Sequence, residues 1–140
     1  VEVLNMVARK TQKAQRGAVV IEFALVFVLF FLVMYGIVAY GVIFAVKHSL
    51  VQAANEGARA AVRDVNDRAG AAEAVARDSL SWLGNRAPSP VVTAGNCTYP
   101  CLEVMVVYDY ASNPIVPALP GLGIILPDQL VGRATVMLEN

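Results

Sequence analysis

From Ala18 to Val46 the chain is apolar almost without interruption, and Glu22 and the absence of any charge from Phe23 to Val46 define the pattern. At a helical rise of about 1.5 Å per residue, this run of roughly 29 residues extends about 43 Å. That exceeds the roughly 30 Å hydrocarbon core of a bilayer, so the pattern predicts a transmembrane helix. Beyond Val46 the apolar positions thin to a stripe. Val51, Ala54, Ala58, Ala61 and Val65 recur at intervals of three and four, which marks one helix face, while Glu56, Arg59, Arg63 and Asp64 lie opposite. One helix is therefore expected from Ala18 to near Val65. Its alanine stripe permits close packing, either between subunits or against the chain's own downstream module.

Asn66 and Asp67 interrupt this helix and offer an N-cap for a second. Ala72, Ala76, Leu80 and Leu83 place one face of that second helix, with Gly84 as its C-cap and Pro88 and Pro90 barring continuation. Arg63–Asp67 and Glu73–Arg77 stand at i,i+4 spacing, worth about 0.2–0.5 kcal/mol each as solvated helix pairs. From Val91 the period changes to two. Leu102, Val104, Val106, Tyr108 and Tyr110 alternate with Glu103, Met105, Val107 and Asp109, which predicts a strand. A second strand is expected over 130–138, with Ala134, Val136 and Leu138 on one face. Val91–Ala94 forms a third strand paired across the turn at Cys97–Cys101. Pro114, Pro117, Pro120, Gly121, Gly123 and Pro127 make the connection between the longer strands irregular. Its Gly-Leu-Gly lacks the strand-to-helix setting of a phosphate loop and reads as loop punctuation.

Composition sharpens this picture in one respect. The 57% hydrophobic content of the 140 residues is concentrated in the N-terminal run, leaving an ordinary small soluble module downstream. Net charge is zero. Arg9, Lys10, Lys13 and Arg16 form the one basic cluster, and they directly precede the apolar run. That placement is a topology signal rather than a nucleic-acid surface: the N-terminus stays in the cytoplasm and residues 47–140 are exported. The run is too long for an ordinary secretory signal and lacks a small-x-small exit before Lys47. In an exported domain, Cys97 and Cys101 are expected to form a disulfide, contributing about 2 kcal/mol for so short a loop. The single histidine, His48, lies beside the apolar run, so neither a metal site nor a hydrolase triad can be assembled. No catalytic residue, metal or cofactor is expected.

Glu22 needs a physical reason. A carboxylate near a helix N-terminus gains about 0.3–1 kcal/mol from the macrodipole. A charge at the bilayer centre is penalised by about 2.5–3.5 kcal/mol, softened here because Glu22 sits near the interface. Cleavage after Gly17 would give Ala18 a free amine with a pKa of about 7.7–8.0. Glu22, one helical turn away or on a neighbouring subunit, would neutralise that amine and fix the axial stagger of adjacent helices.

Gly17 before the cut, small Ala18 after it, Glu22 as the fifth residue of the cleaved chain and aromatic Phe23 beside it resemble a class III, type IV pilin-like signal. The run Arg16-Gly-Ala-Val-Val-Ile-Glu-Phe-Ala-Leu-Val, then Tyr40-Gly, then Ala53-Ala-Asn-Glu-Gly-Ala-Arg-Ala-Ala, resembles the TadE-like family of minor pilins, or pseudopilins. The terminal Gly132-Arg-Ala-Thr-Val-Met-Leu-Glu is similar to that family's last strand. The resemblance implies assembly of a tight-adherence (Flp-type) pilus, with an adhesion-related role. It implies prepilin peptidase, other pilin and pseudopilin subunits and the pilus assembly platform as partners, and no nucleic acid. Gly17 and Ala18 take the scissile role and Glu22, beside Phe23, the assembly role. Major Flp pilins are shorter and lack a β-module, which implies a minor subunit. The chain begins at Val1, which leaves the leader's length open.

The expected fold is α+β, with a long N-terminal transmembrane, pilin-like helix, a second short helix and a small antiparallel sheet at the C-terminal end. Residues 1–17 form a polar, basic cytoplasmic leader with little structure of its own, 18–46 the membrane helix, 47–86 an extracytoplasmic helical region, and 87–140 a disulfide-bearing β-module. The location expected is the inner (cytoplasmic) membrane, single-pass, followed by incorporation into an extracellular pilus. The alternatives are an uncleaved inner-membrane anchor with a periplasmic interaction module, and a secreted domain freed by signal peptidase.

Overall fold

The computed structural model describes residues 2–117 and 126–138, with side chains described from Gly17 onward. The leader side chains Arg9, Lys10, Lys13 and Arg16, and the Gly121-Leu-Gly123 segment, lie outside what is described. The chain divides into two units, residues 1–40 and 41–140.

The first unit belongs to helix α1, which runs Glu2–Arg63. The leader was expected to have little structure of its own, but its backbone is helical from Glu2. No proline interrupts residues 2–17, and most of them are good helix formers, so the helix extends back through the basic segment. Large apolar side chains from Val19 to Val38 are exposed along this unit. Phe23 and Phe27, four residues apart, stack with ring centroids 6.0 Å apart.

The second unit holds the rest of α1, helix α2 (Arg68–Ser79), a 3-10 segment (Ser81–Arg86), and strands β1 (Val91–Ala94), β2 (Cys101–Asp109) and β3 (Gln129–Met137). The α+β architecture is the one expected from the sequence. The sheet is antiparallel in the order β1-β2-β3. Val92 pairs with Val104, Val104 with Ala134, and Val106 with Gly132. The alternation along β2 sends Leu102, Val104, Val106 and Tyr108 into the core, where α1 covers them. Leu50, Leu80, Val46, Val104 and Val106 are among the largest fully buried side chains, each contributing about 1.5–3 kcal/mol on removal from water.

Two helix ends differ from expectation, and one expected ion pair is replaced by a cap. Helix α1 stops at Arg63 because the Asp64 carboxylate accepts the Asn66 and Asp67 N–H groups (3.2 Å each) and turns the chain. Val65 therefore lies past the helix and is exposed. Asp67 caps α2 by accepting the Gly70 N–H at 2.9 Å, so it serves the next helix rather than pairing with Arg63 across a helical turn. Helix α2 ends at Ser79 rather than Leu83, with Leu80 as C-cap, and Gly84 sits inside the 3-10 segment at φ 56°. The Glu73–Arg77 pair forms at 2.6 Å on the exposed face of α2.

Candidate functional site

Gly17, Ala18, Glu22 and Phe23 lie within continuous helix. Ala18 and Glu22 are separated by one turn, about 6 Å of rise, and both are exposed on the helix surface. A Cβ added at Gly17 would meet nothing within 4 Å. The geometry presents a glycine–alanine bond and one carboxylate on an otherwise apolar helix.

The segment Asn55–Arg59 is built differently. Glu56 accepts from Gln52 Nε2 at 3.1 Å on its own helix and from Ser79 Oγ at 2.8 Å on α2. These hydrogen bonds, with that from Gln52 foremost, hold the Glu56 carboxyl below the usual range despite some desolvation, and Arg59 adds to the effect. Gly57 lies where α1 crosses α2: a Cβ there would stand 2.8 Å from the Ala72 carbonyl oxygen and 3.1 Å from Ala76 Cβ. Ala58 is buried and Arg59 exposed. The motif is thus a joint, with an acid reaching across, a glycine allowing contact and an alanine filling the seam.

Gly132 is the second joint. A Cβ at this position would overlap the Leu50 carbonyl group and lie 2.7 Å from the Val51 nitrogen, so β3 meets the backbone of α1 directly. Flanking it, Arg133 pairs with Glu103 across the sheet at 2.7 Å, and Ala134 is buried. A glycine within a strand pattern signals such an approach, but the sequence does not say what approaches. Of the stripe read from the sequence, Ala54, Ala58 and Ala61 are buried and Val51 is half-buried. They face the chain's own core, which also takes in Ile43, Val46, Leu50 and Ala53.

At the far turn, Cys97 and Cys101 form a disulfide closing the β1–β2 connection, with Cys101 buried and Cys97 exposed. The other end of β2 is tied down by tyrosines. Tyr108 Oη donates to the Asn113 carbonyl at 2.7 Å, and Tyr110 Oη accepts the Val116 N–H at 3.3 Å. Burial raises the Tyr108 pKa. Ser112 donates its hydroxyl and its N–H to Asp109, which lowers that carboxyl's pKa.

Residues 17–59 match the TadE-like protein family. The chain is similar to that family over this segment. The TadE-like segment spans both the Gly17–Phe23 junction and the Asn55–Arg59 joint, and β3 packs onto it through Gly132. No curated protein and no solved structure matches the chain. Within the TadE-like segment lies the apolar part of α1, long and apolar enough to cross a membrane, giving a single-pass topology. Among the described residues no group of three or more His, Cys, Asp or Glu could hold a metal. The TadE-like likeness and the long apolar helix support a pilin-like role.

Proposed function

We propose that this chain is a minor pilin of a tight-adherence (Flp-type) pilus, cut by prepilin peptidase between Gly17 and Ala18. The observation that carries the reading is the TadE-like match beginning at Gly17, on a helix whose large apolar side chains are exposed from Val19 to Val38. The basic leader stays in the cytoplasm and residues 47–140 are exported. After the cut, the Ala18 amine and a Glu22 carboxylate neutralise each other between adjacent helices and set their register.

The membrane span ends near Tyr40. Residues 18–40 extend about 34 Å as a helix, which matches a bilayer core, whereas Ile43 and Val46 belong to the core of the second unit. Support for an extracytoplasmic module comes from the Cys97–Cys101 disulfide, since such bonds persist in oxidising compartments. The partners are prepilin peptidase, other pilin and pseudopilin subunits, and the assembly platform.

Sheared surface fractions from cells carrying the pilus system test the proposal. The chain should appear in them beside the major subunit, in a form starting at Ala18. Complete retention in the inner membrane with the leader attached would favour an uncleaved anchor with a periplasmic module instead.

A further inference from the structure

Cys97 and Cys101 are the chain's two cysteines, and they form one bond at the turn between β1 and β2. Their surroundings are unequal. Cys101 opens β2 and is 5% exposed. A Cβ at Gly95 would overlap the Cys101 sulfur, so the backbone just after β1 stands against that atom. Cys97 is exposed, as are Asn96, Thr98, Tyr99 and Pro100 around it. Solvent reaches the bond from the Cys97 end.

This asymmetry governs how the bond reacts. A disulfide opens when a thiolate attacks one of its two sulfurs and the other leaves, so access selects the sulfur attacked. At Cys101 an incoming sulfur meets buried surface and the Gly95 backbone. At Cys97 it meets water. Two backbone hydrogen bonds hold the strand ends without help from sulfur. Gly95 N–H donates to the Cys101 carbonyl at 2.9 Å, and Leu138 N–H donates to the Pro100 carbonyl at 2.8 Å. Cys101 therefore keeps its place beside Cys97 when the bond opens. The turn also lacks charge: none occurs from Ala87 to Leu102, while Tyr99 is 68% exposed. A partner seated there is held by apolar and backbone contacts rather than by ion pairs.

We propose that Cys97 is a thiol–disulfide exchange site for a dithiol oxidoreductase, with Cys101 as the resolving sulfur. In opening, a partner thiolate attacks Cys97 Sγ, a mixed disulfide forms there, and Cys101 leaves as a thiolate that takes a proton. The partner's second thiolate then attacks the partner sulfur of the mixed disulfide and releases the Cys97 thiolate. The partner's dithiol is oxidised to a disulfide as this chain's disulfide is reduced to two thiols. In closing, the Cys97 thiolate attacks the oxidised partner's disulfide. Cys101 then attacks Cys97 Sγ and expels the partner's thiolate. Only the compartment in which the partner acts rests on the proposed export of residues 47–140; the choice of sulfur does not.

Reduced glutathione added to the oxidised full chain in detergent tests the choice of sulfur without any substitution. After an acid quench, tandem mass spectrometry places the added glutathione on one side or the other of Thr98-Tyr99-Pro100. Native protein should carry it on Cys97 in preference to Cys101 by about tenfold or more, and concentrated urea should abolish the preference. Native protein modified equally at both sulfurs, or chiefly at Cys101, would overturn the site. Thioredoxin with its second active-site cysteine replaced by serine tests the protein partner, and the oxidised chain should capture it through Cys97. Glutathione on Cys97 with no thioredoxin captured would confine the site to small thiols and overturn the oxidoreductase as its partner. Both assays use purified protein, so they stand or fall separately from the export and pilus readings.

Discussion

Replacing Gly132 with alanine drives a methyl group into the backbone of α1 at Leu50 and Val51. The added carbon overlaps the Leu50 carbonyl and stands 2.7 Å from the Val51 nitrogen. Comfortable contact requires about 3.5–4.0 Å, so strand and helix must separate by more than about half an ångström. Neither obstacle is a flexible side chain that swings away. Leu50 is fully buried, and the shift loosens its packing along with that of Val106 and Ala134. Overpacking of this kind destabilises by about 1–3 kcal/mol. For a unit of this size each kcal/mol lowers the melting temperature by about 4–8 °C, so a fall of roughly 8–16 °C is expected at the midpoint of that range. Circular dichroism melts of the full chain in detergent measure it. Thr135→Ala, on the outward face of the same strand, should stay within about 0.5 kcal/mol of the parent. A Gly132→Ala protein as stable as the Thr135→Ala control would refute the close backbone approach.

Acidification should weaken the second unit through Glu56 and Asp109. Both carboxyls are held below their usual pKa by hydrogen bonds, so their support is present above the ordinary range near pH 4 and lost as pH falls through the lowered values. Urea midpoints should therefore drop less steeply below about pH 5 for Glu56→Gln than for the parent, and parallel curves would reject the role of the Gln52–Glu56–Ser79 bridge. Reducing the Cys97–Cys101 disulfide should lower stability by about 2 kcal/mol, measured by urea titration with and without dithiothreitol; no change would show that the loop is held by other contacts. Glu22→Ala should leave cleavage after Gly17 largely intact yet impair incorporation into filaments, scored in sheared fractions. Normal incorporation would reject the register role.

Much of the second unit was legible because its signals are local. Leu102 to Tyr110 alternates as a half-buried strand must, and Val91–Ala94 and residues 130–138 take their places beside it. Asp67 announces its helix by residue type and position. What stayed hidden depends on contacts distant in sequence. Apolarity alone does not distinguish lipid from protein, so Ile43 and Val46 read as membrane although they line the module's core. Periodicity extended the alanine stripe to Val65, while the Asp64 turn, a side-chain effect, ends the helix first. Leu80 and Leu83 keep the helical face pattern, but the backbone passes into a 3-10 segment at Ser81. At the candidate site, the roles proposed for Gly17, Ala18 and Glu22 rest on their order along the chain. The Glu56–Ser79 bridge spans 23 residues and has no sequence signature.

Intact mass of the chain, expressed with and without an active prepilin peptidase, tests the central claim most directly. With the peptidase the mass should fall by residues 1–17, and N-terminal sequencing should begin at Ala18. A chain that keeps its leader in the presence of the active enzyme, or one cut near Ala45, would contradict the account.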